Sequence, residues 1–219
     1  MQFSHLPLDK RILDILGKGE LRPCQEKALK KGVLDGRSVL VCSPTASGKT
    51  LVGELAMLQA LKQGKKAIYV VPLIALASEK FKQFKEQWGS LCTIALSVGD
   101  LDSSSTDLGR HDVIVCTAEK MDSLVRHQVK WLSDVGCLVV DEIHLLNDHG
   151  RGPVLEVLIT VLRRLLPKLQ IVGLSATIGN PEELADWLQA ELVRDTWRPV
   201  PLHQGVYVDG KIEFDQPAK

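Results

Sequence analysis

Short runs of β-branched and aliphatic residues recur along this chain, separated by longer stretches of helical period, and that alternation limits the possible folds more than any other feature. Strands buried on both faces read as continuous apolar runs, and a helix between successive strands lets them run parallel. The pattern predicts strands at 38–42, 67–71, 93–97, 113–116, 137–140 and 171–174, with helices at 49–62, 74–87, 118–126, 154–166 and 181–188. The last helix has a start signal, with Asn180 to cap it, Pro181 at its first position and Glu183 to complete a capping box. Segments 9–16 and 23–33, parted by Gly17, Lys18 and Gly19, form a short N-terminal helical preface. After Arg198 the period changes: Pro199 and Pro201 precede an alternating stretch in which Asp209 and Gly210 favour a β-hairpin, either appended or leading to something further. Residues 103–106 read as a solvated loop. The expected fold class is therefore α/β, a mostly parallel β-sheet sandwiched by helices.

Length and charge then narrow the partners. With 219 residues, the chain fits one ordinary domain. The 27 basic and 27 acidic side chains cancel, so no global field draws it to polyanions and any nucleic-acid site must be a local patch. No apolar run approaches the roughly 18–20 residues of a membrane span and the start lacks a signal-peptide pattern, which points to no membrane partner and a cytoplasmic location. Cys24, Cys42, Cys92, Cys116 and Cys137 are odd in number and contain no CxxC pair, so buried free thiols are the better reading.

The first chemistry-bearing motif is Ser43-Pro-Thr-Ala-Ser-Gly-Lys-Thr50, which follows an apolar strand and opens a helix, as a phosphate-binding loop does. Backbone N–H groups through Ser47 and Gly48 would point at one anion, Lys49 adds a point charge on the outer phosphates, and the Thr50 hydroxyl suits magnesium. Ser43 stands where the usual pattern has its first glycine. The second motif lies 92 residues beyond Lys49, where the strand at 137–140 ends in Asp141-Glu-Ile-His144. Adjacent carboxylates there can divide labour, Asp141 holding magnesium directly or through water and Glu142 polarising the water that attacks the γ-phosphate. Lys49 and Asp141 are expected to meet across neighbouring strands. His144 and His149 have no third ligand in view, so they do not suggest a metal site of their own.

Further polar clusters follow the other strands: Pro72-Leu73, Gly99-Asp100, Thr117-Ala-Glu-Lys120 and Ser175-Ala-Thr177. Ligands of open parallel sheets bind outside the carboxyl ends of the strands, so these turns should share one rim with Lys49 and Asp141. Pro72 and Thr117 precede helices, whose N-termini make sequence-blind contacts to phosphate oxygens. Lys62, Lys65, Lys66, Lys80, Lys82 and Lys85 outnumber Glu79 and Glu86 across 61–90, which a solvated helix face explains as well as a phosphate track does.

Taken in order, Thr-Ala-Ser-Gly-Lys-Thr50, Asp141-Glu-Ile-His144 and Ser175-Ala-Thr177 resemble motifs I, II and III of superfamily-two DExH-box helicases. The match is closer to the Ski-type branch, and within it to archaeal DNA-repair and fork-processing helicases. Leu21-Arg-Pro-Cys-Gln25 looks like their adenine-reading Q motif, Val71-Pro-Leu-Ile-Ala75 like motif Ia and Thr117-Ala-Glu-Lys120 like motif Ib. Arg151-Gly-Pro153 and the exit Arg198-Pro-Val-Pro-Leu202 are also characteristic.

The resemblance implies a RecA-like P-loop NTPase domain at 37–197, a preface with the Q motif at 1–36, and a linker at 198–219 toward a second RecA-like domain. It assigns Gln25 to the adenine edge, and His144, Ser175 and Thr177 to coupling the nucleotide site to the nucleic-acid path. Pro72, Leu73 and Thr117 would grip a single-stranded backbone crossing the rim. The implied activity is an ATP- and magnesium-dependent 3′-to-5′ DNA helicase acting on single-stranded or forked DNA at stalled forks or repair intermediates. An RNA helicase of the same branch and a non-translocating nucleotide switch are the alternatives. Motifs IV, V and VI, with the arginine that reaches the γ-phosphate from the facing domain, are absent from the sequence, so this chain alone should hydrolyse ATP weakly.

Overall fold

A computed structural model of the chain describes residues 1–99, 105–201 and 205–214. The expectations that rest on Asp100, Leu202 and residues 103–104 fall outside them. Seven parallel strands form one sheet in the order β3-β4-β2-β5-β6-β1-β7. They are β1 (Val39–Cys42), β2 (Lys66–Val71), β3 (Ile94–Ser97), β4 (Val113–Thr117), β5 (Val135–Val140), β6 (Gln170–Ser175) and β7 (Glu191–Arg194). Helices α1 (Lys10–Leu16), α2 (Pro23–Lys30), α3 (Lys49–Lys62), α4 (Ile74–Trp88), α5 (Ser105–Leu108), α6 (Ala118–Arg126), α7 (Gly152–Leu165) and α8 (Pro181–Leu188) pack around it. The α/β RecA-like architecture follows, with the antiparallel hairpin β8 (Gly205–Val208) and β9 (Lys211–Phe214) after it.

The pleat sorts the core. Side chains alternate across a strand, so Val39, Val41, Tyr69, Val71 and Val139 join one apolar layer, while Leu40, Cys42, Ile68, Val70, Leu138 and Val140 join the other. The first layer is closed by α1 to α4, the second by α6 to α8. Cys24 and Ala28 of α2 are fully buried in the first layer, so the helical preface shares the main core. Helix α3 comes close enough to β5 that a Cβ on Gly53 would stand 2.8 Å from Val139 Cγ1. The free thiols of Cys116 and Cys137 are pushed up to about 12 by complete burial, which leaves them as core-filling side chains.

The structure departs from the sequence reading in four places. Edge strand β7, paired with β1, was not anticipated, because its four residues follow α8 with no turn signal between. Residues 105–108 form a helical turn in place of the end of a loop. Asn180 does not cap α8; its amide donates to Glu183 Oε2 at 2.9 Å, so the two side chains satisfy each other rather than the helix backbone. Finally, β1 and β5 are not neighbours, since β6 lies between them. Helix α3 closes that gap from above, because it lies across β2, β5 and β6 and carries its first residue toward the end of β5.

Candidate functional site

The loop between β1 and α3 turns through two left-handed residues, Ala46 with φ 64° and Gly48 with φ 90°. Gly48 is required twice over, since a Cβ there would also fall 2.6 Å from Gln25 Nε2. Ser43 needs no such freedom and its serine is explained by its contacts. Its N–H donates to the Ser175 carbonyl at 3.2 Å, and its Oγ lies 2.7 Å from Ser47 Oγ in a fully buried pair. The loop is thereby tied shut on its own base and tied to the end of β6. Lys49, the first residue of α3, is buried to 7% exposure, with its Nζ 3.8 Å from Glu142 Oε1.

Glu142 follows Asp141 at the end of β5 and takes φ 52°, ψ 42°, a left-handed conformation that strains a side chain with a Cβ. That kink turns its carboxylate toward Lys49 on one side and His144 Nδ1, 3.3 Å away, on the other. The same Nδ1 accepts the Ala176 N–H at 3.4 Å, so the imidazole stands between the acid and the segment after β6. Asp141 extends the β5 ladder, its N–H donating to the Val70 carbonyl at 2.8 Å. Its Oδ2 accepts from the Tyr69 hydroxyl at 2.7 Å.

On the other flank, α2 approaches the loop. Gln25 is buried, its Oε1 accepting the Arg22 N–H at 2.8 Å and its Nε2 donating to the Gly48 carbonyl at 2.9 Å. Arg22 donates to the Ala46 carbonyl at 2.6 Å and holds its guanidinium 5.7 Å from the Trp197 ring centroid. Lys80, one of the lysines that read as a charged face, turns inward from α4 to within 3.5 Å of Thr50 Oγ1. Sequence reasoning gave no role to Tyr69 or Trp197, quoted Arg22 only as part of the Q-motif stretch, and counted Lys80 only among the lysines of 61–90. For Tyr69 the available signal was a hydroxyl inside an otherwise aliphatic strand.

The rim divides in two. Pro72, Leu73 and Thr117 line a cleft of about 400 Å³ together with Gly99, Lys120 and Arg151. The Thr117 hydroxyl there caps α6, accepting the Lys120 N–H at 3.4 Å, and the Lys120 ammonium donates to the Gly99 carbonyl at 2.8 Å. His144 lines a second cleft, of about 500 Å³, with Ile178, Gly179 and Asn180. Ser175 is fully buried, whereas Thr177, two residues on, is exposed.

The donor set suits a nucleoside triphosphate with magnesium. The N-terminus of α3, the buried Lys49 and the Thr50 hydroxyl come together at one end of the helix, and the Glu142 carboxylate faces Lys49. Magnesium binds through one or two protein oxygens and completes its octahedron with phosphates and water. Among the described residues no cluster of three His, Cys, Asp or Glu forms a cage of its own.

Comparison with known proteins gives the same direction. The DEAD/DEAH box helicase family model matches residues 22–184. The ATP-dependent DNA helicase Hel308 of Methanocaldococcus jannaschii is 52% identical over 93% of this chain and 18% of its own length. The proteins of that name from Pyrobaculum calidifontis and Pyrococcus horikoshii are each 51% identical over 98% of this chain and 30% of theirs. The chain thus spans less than a third of the length of these relatives.

Proposed function

Because the chain belongs to the DEAD/DEAH box helicase family, we propose that it is the nucleotide-binding lobe of an ATP-driven DNA helicase that moves 3′ to 5′ along single strands at stalled forks or repair intermediates. The observation that carries this reading is the approach of Lys49 Nζ to Glu142 Oε1, 3.8 Å, at the mouth of the phosphate loop. It supports the reading by bringing the Lys49 ammonium beside the Glu142 carboxylate, a cation for phosphate next to an acid for the attacking water. The relatives named DNA helicases support DNA over RNA as the track.

In this reading Ser47 and Gly48 line the cradle, Lys49 binds the outer phosphates, and Thr50 and Asp141 hold magnesium. Magnesium, when bound, offsets the charge on the outer phosphates. Glu142 orients the attacking water and takes its proton. Gln25 keeps one N–H and one carbonyl lone pair after its two bonds, the complement of the N7 acceptor and N6 donor of adenine. Pro72, Leu73 and Thr117 receive the strand backbone at their cleft, the Thr117 site acting through the N-terminus of α6 because its hydroxyl is already used as the cap. His144, Ser175 and Thr177 couple the two sites through the bonds of Ala176 to His144 and of Ser43 to Ser175. Residues 1–36 carry the Q motif, 37–197 the motor lobe, and 198–219 lead toward a second lobe.

Two substitutions test the division of roles. Lys49→Ala removes a charge-assisted contact worth about 1.5–3 kcal/mol, so a fluorescent ATP analogue is expected to bind roughly ten- to hundredfold more weakly. Glu142→Gln is expected to leave binding nearly intact and abolish hydrolysis. Equal loss of binding in both variants would refute the assignment. Competition of single-stranded DNA against RNA of the same sequence decides the track, since only the sugar hydroxyl distinguishes them to a protein that grips the backbone.

A further inference from the structure

Register on the sheet brings a tyrosine to the metal-side acid. Tyr69 of β2 is paired with Val139 of β5, and both point into the layer covered by α3 and α4. Asp141 lies two residues beyond Val139, so the alternation of the strand directs its side chain to the same face. The Tyr69 hydroxyl then meets Asp141 Oδ2 at 2.7 Å, while Asp141 Oδ1 accepts the Glu142 N–H at 3.0 Å. Each carboxylate oxygen is fixed by one donor and keeps its remaining lone pairs for something else.

The tyrosine itself has no freedom. It is fully buried, and its ring meets Phe84 of α4 edge to face, centroids 4.9 Å apart and planes at 79°. A hydrophobic filler at this position would need no hydroxyl, and a hydroxyl buried without a partner costs free energy.

We propose that Tyr69 is a positioning residue for the nucleotide site, its hydroxyl holding the Asp141 carboxylate in the one rotation that presents its free lone pairs to magnesium. This rests on the reading of Asp141 as the magnesium-side acid. Partners that orient a metal-binding carboxylate typically contribute about 10- to 100-fold in metal affinity. Phe84 extends the support to α4, the helix that begins at the cleft of Pro72 and Leu73, so the orientation of Asp141 is braced by the element that borders the proposed DNA path.

The test uses the whole chain and a fluorescent ATP analogue, titrated with magnesium at fixed nucleotide. Tyr69→Phe keeps the ring and the Phe84 contact. It is expected to raise the magnesium midpoint about tenfold while leaving magnesium-free nucleotide binding and the ligand-free melting temperature close to wild type. On the wild-type chain, NMR is expected to show a slowly exchanging, downfield Tyr69 hydroxyl proton that shifts when magnesium and nucleotide bind. An unchanged midpoint together with a lowered melting temperature overturns the proposal and leaves Tyr69 a packing residue, as does a Tyr69 hydroxyl proton that does not respond. If wild-type binding ignores both magnesium and Lys49→Ala, the nucleotide-site reading falls and takes this inference with it; if those controls behave, only the role of Tyr69 is at stake.

Discussion

Gln25 shows how one side chain can serve two ends. Its amide staples the start of α2 to the loop before α3, through Arg22 N–H and the Gly48 carbonyl, and in the proposed reading its unused donor and acceptor serve a base. Gln25→Ala should therefore act in two separable ways. Losing the staple is expected to cost about 1–3 kcal/mol of stability and to weaken every nucleotide alike. Losing the adenine edge is expected to bring ATP and GTP toward equal competition. Parallel weakening with an unchanged ATP-to-GTP ratio would show that the residue works on the loop alone. Lys80 makes the complementary point: in sequence it is one lysine among six, and only the packing of α4 against α3 turns it toward Thr50.

At the scale of elements, α3 combines an anion-binding N-terminus with a body buried in the first core layer. Besides Lys49 it carries Glu54 inside, which is 3% exposed and accepts the Trp88 indole N–H at 3.1 Å. Burial raises its carboxyl pKa, with the Trp88 bond and the Lys80 charge opposing that shift. A raised folded-state value means the folded protein holds this proton more tightly than the unfolded chain. The associated stability is present below the ordinary carboxyl value of 4.5 and is lost as pH rises through it and past the raised value. Glu54→Gln keeps an acceptor for Trp88 and removes the buried charge. Its melting temperature relative to wild type is expected to climb as pH is raised from about 4 to about 8. A relative melting temperature that instead falls as pH rises would mean that attraction to Lys80 outweighs burial. The central strands and α3, α4, α6, α7 and α8 were legible because their apolar runs are long and periodic. Strand β7 was not, since four residues at an edge gain their definition from pairing with β1.

For the whole molecule, the proposed reading makes the lobe one side of a nucleotide chamber, with Lys49, Thr50 and Asp141 at the carboxyl edge of the sheet. A facing arginine can be worth about 10³–10⁵ in rate for phosphoryl transfer. The 219-residue chain is accordingly expected to bind ATP yet hydrolyse it slowly, with little stimulation by single-stranded DNA. Rapid DNA-stimulated turnover that Glu142→Gln abolishes would contradict this, because it would mean one lobe supplies all the charge the reaction needs. The hairpin after the lobe exposes Val206, Tyr207 and Ile212.

The order of apolar runs and helical stretches determined the class of fold, because burial on both faces and the return path of a parallel sheet leave their periods in any sequence. The spacing from Ser43 to Thr50 and the acids after β5 are likewise sequence features, and the proposal of phosphate and metal chemistry there starts from them. Which strands are neighbours, how β6 intervenes between β1 and β5, and which hydroxyl steadies Asp141 were decided by tertiary structure alone. Those relations depend on strand order and register between segments far apart in sequence, 72 residues for Tyr69 and Asp141 and 133 for the paired Val39 and Val172 of β1 and β6, and no local pattern encodes them.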